Sequence, residues 1–288
     1  MRALAWPFVG TEAIAAGRVR KHQLRSLYRA LFPNVYVPIH ASPTLIQRTT
    51  AAWLWSGRQG VVAGAAAAAL HGARWIADAE PVELVWRNAR PPAGIVTRRD
   101  RLDIDEVVQL VGLRATSVTR TAFDVGRLTR GGEGVSRLDA LGNATGFDTG
   151  AVLQLADRHA GTPGVPRLRE ALTRHDPGAE SPRETWLRLL LISAGFPRPR
   201  TQIPVRDDFG RARYYLDMGW EDIRVAVEYD GDHHRERAVF ADDIIRAEFI
   251  AERGWRRVRV VAGQREAEIL DRVARARCAA VRSDRRAG

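Results

Sequence analysis

The C-terminal part of the chain carries the clearest periodic pattern of apolar and polar positions. After Ser181-Pro182-Arg183-Glu184, apolar residues recur at helical spacing until Gly195, which predicts a helix. The elements predicted after it are strands at 201–207, 212–218 and 223–230, a helix at about 237–253, a strand at 255–262 and a helix at 265–282. The predicted order is therefore α-β-β-β-α-β-α.

The preceding residues predict a mixture of short helices and strands, so the fold class is α/β in the mixed α+β sense. Residues 10–30 predict two short helices broken at Gly17, and 31–38 predict a turn and a short strand. The later patterns predict helices at 44–56 and 61–71, two strands within 81–102, two more within 107–118, and helices across 119–173 with breaks near 131, 146 and 161. The proline, glycine and charges of 174–182 predict a linker. The expected regions are 1–58, 59–173 and 179–283.

Charge points to a polyanionic partner. The net charge is +11, while the hydrophobic share of 45% and the charged share of 27% are ordinary for a globular protein. Clustered cations attract phosphates and release their counterions, which favours nucleic acid. The single cysteine, Cys278, excludes an internal disulfide and suits a reducing cytoplasm. With no apolar leader or membrane-length run, we expect a cytoplasmic protein without a membrane partner.

The basic residues near the N-terminus belong to a pattern with two interpretations. Arg18, Arg20, Lys21 and Arg25 lie around the second short helix, ahead of the predicted turn and strand. A helix-turn-helix followed by a β-wing has this order and would bind nucleic acid through that helix. A small helical cap with a solvated basic face explains the pattern equally well. His71, His159 and His175 are isolated in the sequence and favour structural roles over metal ligation.

Three acids lie on predicted strands of the C-terminal part: Asp217 near the end of the second strand, and Glu228 and Asp230 on the third. Glu228 and Asp230 are two apart on the third predicted strand, so their side chains leave the same face of the sheet. A hairpin through 219–222 would set Asp217 opposite the 226–228 region. The carboxylates would then repel one another unless a divalent cation neutralises them. Oxygen ligands suit Mg²⁺ or Mn²⁺.

The pattern D-x10-E-x-D-G-x-x-H, from Asp217 to His234, resembles the PD-(D/E)xK restriction-endonuclease-like superfamily, and specifically its bacterial Vsr-like branch. The resemblance covers about 179–280 and includes "ESPRETWLRLLL", "YLDMGW", "VAVEYDGDHHR" and "GWRRVRVVA". The N-terminal part more loosely resembles the winged-helix domain of type IV abortive-infection antitoxins. The resemblance implies an αβββαβα nuclease-like domain preceded by a DNA-binding region.

The resemblance also implies roles for individual residues. Asp217 and Glu228 would be the metal-ligating acids, and Glu184 would add a ligand, although Ser181-x-x-Glu184 is also a helix-capping pattern. Asp230 stands where the superfamily has lysine, and this region contains no lysine. His234 or His233 would take over proton transfer or contact the phosphate, as histidine does in the Vsr-like branch. The expected catalytic residues are Asp217, Glu228, Asp230 and His234, and the expected metal ligands are Asp217, Glu228 and Glu184.

Two functions follow from these patterns. The first is a Mg²⁺- or Mn²⁺-dependent endonuclease or nicking enzyme acting on double-stranded DNA. Its expected nucleic-acid contacts are Arg18, Arg20, Lys21, Arg25, Arg235 and Arg246. Arg246 is also spaced to form a surface pair with Asp243. The second is a non-catalytic, antitoxin-like DNA-binding regulator that has kept the nuclease fold; a toxin partner or a homodimer belongs with it.

Overall fold

The computed structural model describes residues 5–88, 90–231 and 237–287, without the side chains of 237–241 and 283–287. His234 and Arg235 therefore lie outside the described residues. The chain divides into two compact units, Met1–His175 (unit 1) and Asp176–Gly288 (unit 2), so the division falls inside the 174–182 segment. Among the described residues, no helix has both the length and the apolar composition needed to cross a membrane.

Unit 1 begins with a small sheet and two short helices. Its first elements are β1 (Phe8–Val9), α1 (Gly10–Ala15), α2 (Lys21–Leu27), β2 (Tyr28–Phe32) and β3 (Val35–Pro38). The strands form an antiparallel sheet in the order β1-β3-β2, with a hairpin turn at Pro33-Asn34. The two predicted helices and the turn are confirmed, and Gly17, with φ 65°, separates the helices because its left-handed backbone favours glycine.

A five-stranded sheet occupies the middle of unit 1. The elements are α3 (Leu45–Trp55), β4 (Val61–Ala63), α4 (Gly64–Leu70), β5 (Val82–Val85), β6 (Ile95–Arg98), β7 (Val107–Leu110) and β8 (Leu113–Thr116), with strand order β6-β5-β4-β8-β7. The helix predicted at 61–71 was wrong over its first three residues, because Val61 and Val62 pair with β5 and are buried. Gly64, with φ 58°, then turns the chain into α4.

Four helices complete unit 1: α5 (Val118–Leu128), α6 (Gly131–Thr145), α7 (Thr149–Arg158) and α8 (Val165–Arg174). One core includes Phe32 and Leu45 together with Val62 and Leu84, so apolar packing crosses the boundary expected near residue 58. Burial of this shared apolar surface holds the small sheet and the larger sheet in one unit.

Unit 2 has the predicted order of elements. They are α9 (Pro182–Ser193), β9 (Arg200–Arg206), β10 (Ala212–Trp220), β11 (Val225–Asp230), α10 (Arg237–Glu252), β12 (Arg256–Val261) and α11 (Glu266–Ala287). The sheet order is β12-β11-β10-β9, with β11 and β12 parallel and the other pairs antiparallel. β10 runs two residues further than predicted, to Trp220, so the turn before β11 lies at 221–224.

The two faces of this sheet carry separate cores. Val225 and Val227 pack with residues of α9 and α11, and Ala226 packs with Phe249 and Ile250 of α10. The alternation along β11 confirms the prediction that Glu228 and Asp230 leave the face opposite Val225 and Val227.

The strand β10 changes face close to Asp217. Leu216 belongs to the core beside α10, whereas Met218 belongs to the core beside α9 and α11, although the two are separated by one residue. Their partners on β9 are Ile203 and Thr201, and the residue between those partners, Gln202, has φ 48°. Irregular strand positions of this kind re-aim side chains, and here the re-aimed side chain is Asp217.

Candidate active site

The strands β10 and β11 separate where the acids lie. Their backbone pairing joins Met218 to Val227 and continues to Trp220 and Val225. One residue before Met218, the Asp217 carboxylate takes the place of a strand partner and accepts the Tyr229 N–H at 2.8 Å. A side chain thus takes the place of a backbone hydrogen bond between β10 and β11, and the two strands leave an opening at this point.

This opening is a cavity of about 220 Å³. Its lining combines acids with arginines: Asp217, Glu228, Tyr229, Asp230, Gly231, Asp243, Arg246, Arg257 and Arg259. Mixed charges of this kind can hold both a cation and an anionic phosphate, the first on the carboxylates and the second on the guanidinium groups.

Glu228 is the most buried acid of the cavity, with 7% of the residue exposed. Arg246 of α10 donates to its Oε1 at 2.7 Å, and Arg257 of β12 donates to its Oε2 at 3.0 Å. Two guanidinium groups therefore compensate the loss of water around this carboxylate. Arg246 also donates to the Tyr215 carbonyl at 2.9 Å, which ties α10 to β10 at the opening.

Asp230 lies next along the same face of β11. Arg259 of β12 forms an ion pair with Asp230 and lies 3.5 Å from Asp243 of α10. The parallel pairing of β11 with β12 sets Arg257 and Arg259 beside the two acids, because all four alternate at the same period of two residues. The Arg-x-Arg alternation in 255–262 was the sequence signal for these partners.

Asp217 is half-buried, and its pKa is raised to about 7. Burial is the main cause, followed by repulsion from Glu184 and then from Glu228; the Tyr229 N–H and Arg246 act in the opposite direction. The surroundings therefore disfavour the negatively charged form of Asp217. A cation placed beside it would lower this pKa.

Glu184 lies in the first turn of α9, and Ser181 is the N-cap of that helix. The Glu184 N–H donates to Ser181 Oγ at 3.2 Å, and its carboxylate accepts from Ser181 Oγ at 2.8 Å and from the Glu180 N–H at 2.9 Å. Burial also raises the pKa of Glu184. The expected helix cap is confirmed for Ser181, while the Glu184 carboxylate accepts from the Glu180 N–H. The Glu184 carboxylate is also near enough to Asp217 to raise the pKa of Asp217.

The expected nucleic-acid contacts divide between the units. Arg18, Arg20, Lys21 and Arg25 are exposed around α2 in unit 1. Arg246 is instead engaged with Glu228 inside the cavity of unit 2, and Asp243, its expected surface partner, lies beside Arg259. The surface-pair interpretation of Arg246 was wrong, since α10 packs against β11 and the sequence spacing along one helix does not reveal this.

Asp217 and Glu228 are the carboxylates of this cavity that could hold a divalent cation. Each ionised carboxylate offers about four acceptor positions, which is more than the hydrogen bonds made to either group by the described residues. Mg²⁺ needs few protein carboxylates because it keeps several waters. A closer group of possible metal ligands lies outside this cavity. Among the described residues, Asp103, Glu106 and His159 each place one ligand atom within 4.8 Å of the other two.

Comparison with known proteins identifies two relatives. Each is an uncharacterised protein of Mycobacterium tuberculosis, one from strain CDC 1551 and one from strain H37Rv. Each is 28% identical to this chain over 204 residues, which are 68% of this chain and 73% of the relative. No protein-family model matches the chain, and no solved structure matches it.

Proposed function

We propose that this protein is a Mg²⁺- or Mn²⁺-dependent DNA endonuclease or nicking enzyme, with its site in the cavity of unit 2. The observation that carries the proposal is the convergence of Asp217 and Glu228, from neighbouring strands, on one cavity lined by three arginines. The order of elements in unit 2 and the pattern from Asp217 to His234 further support a restriction-endonuclease-like, Vsr-like domain.

In this proposal Asp217 and Glu228 hold the cation. The bound cation would polarise the scissile phosphate and lower the pKa of a coordinated water. Arg257 and Arg259 bind the phosphate, and in doing so they supply the positive charge that lysine provides elsewhere in the superfamily. Asp230 holds Arg259 in position, Glu184 adds negative charge near Asp217, and His234 carries protons.

Unit 1 supplies duplex affinity in this proposal. The exposed basic residues lie around α2, the second of two short helices that precede the β2–β3 hairpin, and this order supports phosphate contacts and groove binding by a helix-turn-helix with a wing. Arg235 would extend the contacts of unit 2. The proposed substrate is double-stranded DNA, and the proposed location of the protein is the cytoplasm.

A second candidate function is a non-catalytic, antitoxin-like DNA-binding regulator, with a toxin partner or a second copy of the chain. The observation that favours it is the engagement of both Glu228 oxygens by arginines, which neutralises the acid without a metal. Under this alternative, Asp217 and Glu228 are remnants of a catalytic site and the DNA affinity of unit 1 is the function.

The two candidates are separated by plasmid cleavage and by calorimetry. Supercoiled plasmid is incubated with the protein and Mg²⁺ or Mn²⁺, with Asp217→Asn and Glu228→Gln as test variants and Asp222→Asn, an exposed change in the β10–β11 turn, as the matched control. The enzyme predicts nicking that the test variants lose and the control keeps. Cleavage that persists in both test variants contradicts the proposed site.

Titration of Mn²⁺ into the protein gives an independent measurement. The enzyme predicts saturable binding that weakens in Asp217→Asn. Salt-sensitive DNA binding without Mn²⁺ binding or cleavage would favour the regulator, because phosphate contacts alone release counterions.

A further inference from the structure

A second group of metal-ligating side chains lies in unit 1. Asp103, Glu106 and His159 each place one ligand atom within 4.8 Å of the other two. Glu106 ends the short 3-10 turn before β7, Asp103 is the N-cap of that turn, and His159 follows the last residue of α7. His159 Nε2 lies 2.7 Å from Glu106 Oε1, although the two residues are 53 positions apart in the sequence. The tertiary fold therefore creates this group, unlike a local run of surface acids.

The surroundings hold two of the ligands in fixed orientations. The Glu106 side chain is 2% exposed, and Arg120 donates to its Oε2, so Oε1 is the oxygen that faces His159. Arg120 is itself held by Asp124 at 3.0 Å. The Phe123 ring lies 5.6 Å from the imidazole, centroid to centroid. Outer partners that fix a ligand carboxylate in this way strengthen metal binding.

The third ligand is accessible and weakly paired. The Asp103 side chain is 41% exposed, and its ion pair with Arg101 is 3.5 Å long and involves an arginine side chain that is 88% exposed. Such a pair contributes little and is readily exchanged for a better partner. Arg158 lies 4.0 Å from Glu106 but 3.0 Å from Asp105, so Asp105 can retain it when a cation binds.

We propose that Asp103, Glu106 and His159 form a binding site for a transition-metal dication, with Zn²⁺ as the ion of choice. One imidazole and two carboxylates favour Zn²⁺ and similar ions over Mg²⁺ or Ca²⁺. Three protein ligands leave a further position for water. The ion replaces the hydrogen bond between His159 and Glu106 and links the segment before β7 to the end of α7. This site is independent of the proposed nuclease function.

The test is calorimetry of the whole chain with Zn²⁺ at neutral pH. It uses a background protein in which other side chains that could bind Zn²⁺ are replaced. The background substitutions are Asp217→Asn, Glu228→Gln, His233→Gln, His234→Gln and Cys278→Ser. This background protein is expected to bind equimolar Zn²⁺. His159→Gln and Asp103→Asn, added singly, are each expected to weaken binding by at least about 10-fold, and His22→Gln, an exposed histidine of α2, leaves it unchanged.

Thermal unfolding supplies a second measurement. Zn²⁺ is expected to raise the melting temperature of the background protein and to have a much smaller effect on the two test variants. If His159→Gln does not fold, Asp103→Asn still decides the question because its side chain is partly exposed. Absence of saturable Zn²⁺ binding in the background, or full binding in Asp103→Asn, would overturn the proposal. Neither result bears on the nuclease, whose residues are already replaced.

Discussion

Replacement of Asp217 by asparagine should stabilise unit 2 above neutral pH. The asparagine side chain keeps an oxygen for the Tyr229 N–H but removes the repulsion from Glu184 and Glu228. In the wild-type protein the folded-state pKa of Asp217 is about 7, above its ordinary value of 3.8. Between these values the folded protein holds a proton that the unfolded chain has lost, so stability decreases as pH rises through this window and levels off above it.

The size of this stability change follows from the raised pKa of Asp217. From pH 5 to pH 8 the wild-type protein crosses roughly two pH units of the window, which at about 1.4 kcal/mol per unit sets an upper bound of about 3 kcal/mol. Partial solvent exposure reduces this to roughly 1.5 kcal/mol. The free energy of unfolding of Asp217→Asn, relative to wild type, should therefore rise by this amount between those pH values.

Urea unfolding in EDTA at several pH values measures the effect. Circular dichroism follows the transition, and hydrogen exchange of peptides from β10 and β11 assigns it to unit 2, because a chain with two units need not unfold in one step. Asp222→Asn, on an exposed turn, controls for the loss of one negative charge. A difference between Asp217→Asn and wild type that stays constant with pH, or that falls as pH rises, would refute the reasoning.

Three further predictions concern unit 1. Arg120→Met should destabilise it by about 3–5 kcal/mol in urea unfolding, because buried Glu106 loses its nearest arginine and Asp124 keeps only Arg127; a loss below about 1 kcal/mol would mean that the network is not stabilising. Gly126→Ala should cost about 1–3 kcal/mol in thermal unfolding, since the added Cβ would lie 2.3 Å from Leu168 Cδ1; an unchanged melting temperature would show that α8 moves freely aside. Lys21→Ala should reduce the slope of log DNA affinity against log salt by about 1, measured by fluorescence anisotropy; an unchanged slope would exclude Lys21 from phosphate contact.

The sequence predicted most of the helices and strands because their periodic patterns are long and bounded by glycine or proline. It also predicted that Glu228 and Asp230 share one face of a strand, since alternation is a property of the extended backbone itself. It failed at 61–63, where two valines read as the start of a helix. Pairing with β5 decides that segment, and no local pattern contains that information.

The sequence located the acids but not the groups that neutralise them. A cluster of carboxylates near a strand end requires positive charge, and the sequence alone left a metal ion as the natural choice. The structure supplies arginines from α10 and β12, which lie 18 and 29 positions beyond Glu228. Likewise, His159 is isolated in the sequence, but in the folded chain its Nε2 lies 2.7 Å from Glu106 Oε1.

Local periodicity thus determined the elements and the faces on which chemical groups lie, because both follow from backbone geometry over a few residues. Only the tertiary structure decided which charges meet, how deeply Asp217 is buried and where β10 leaves β11. Those quantities depend on contacts between segments far apart in the chain, and electrostatic energies change steeply with distance and burial.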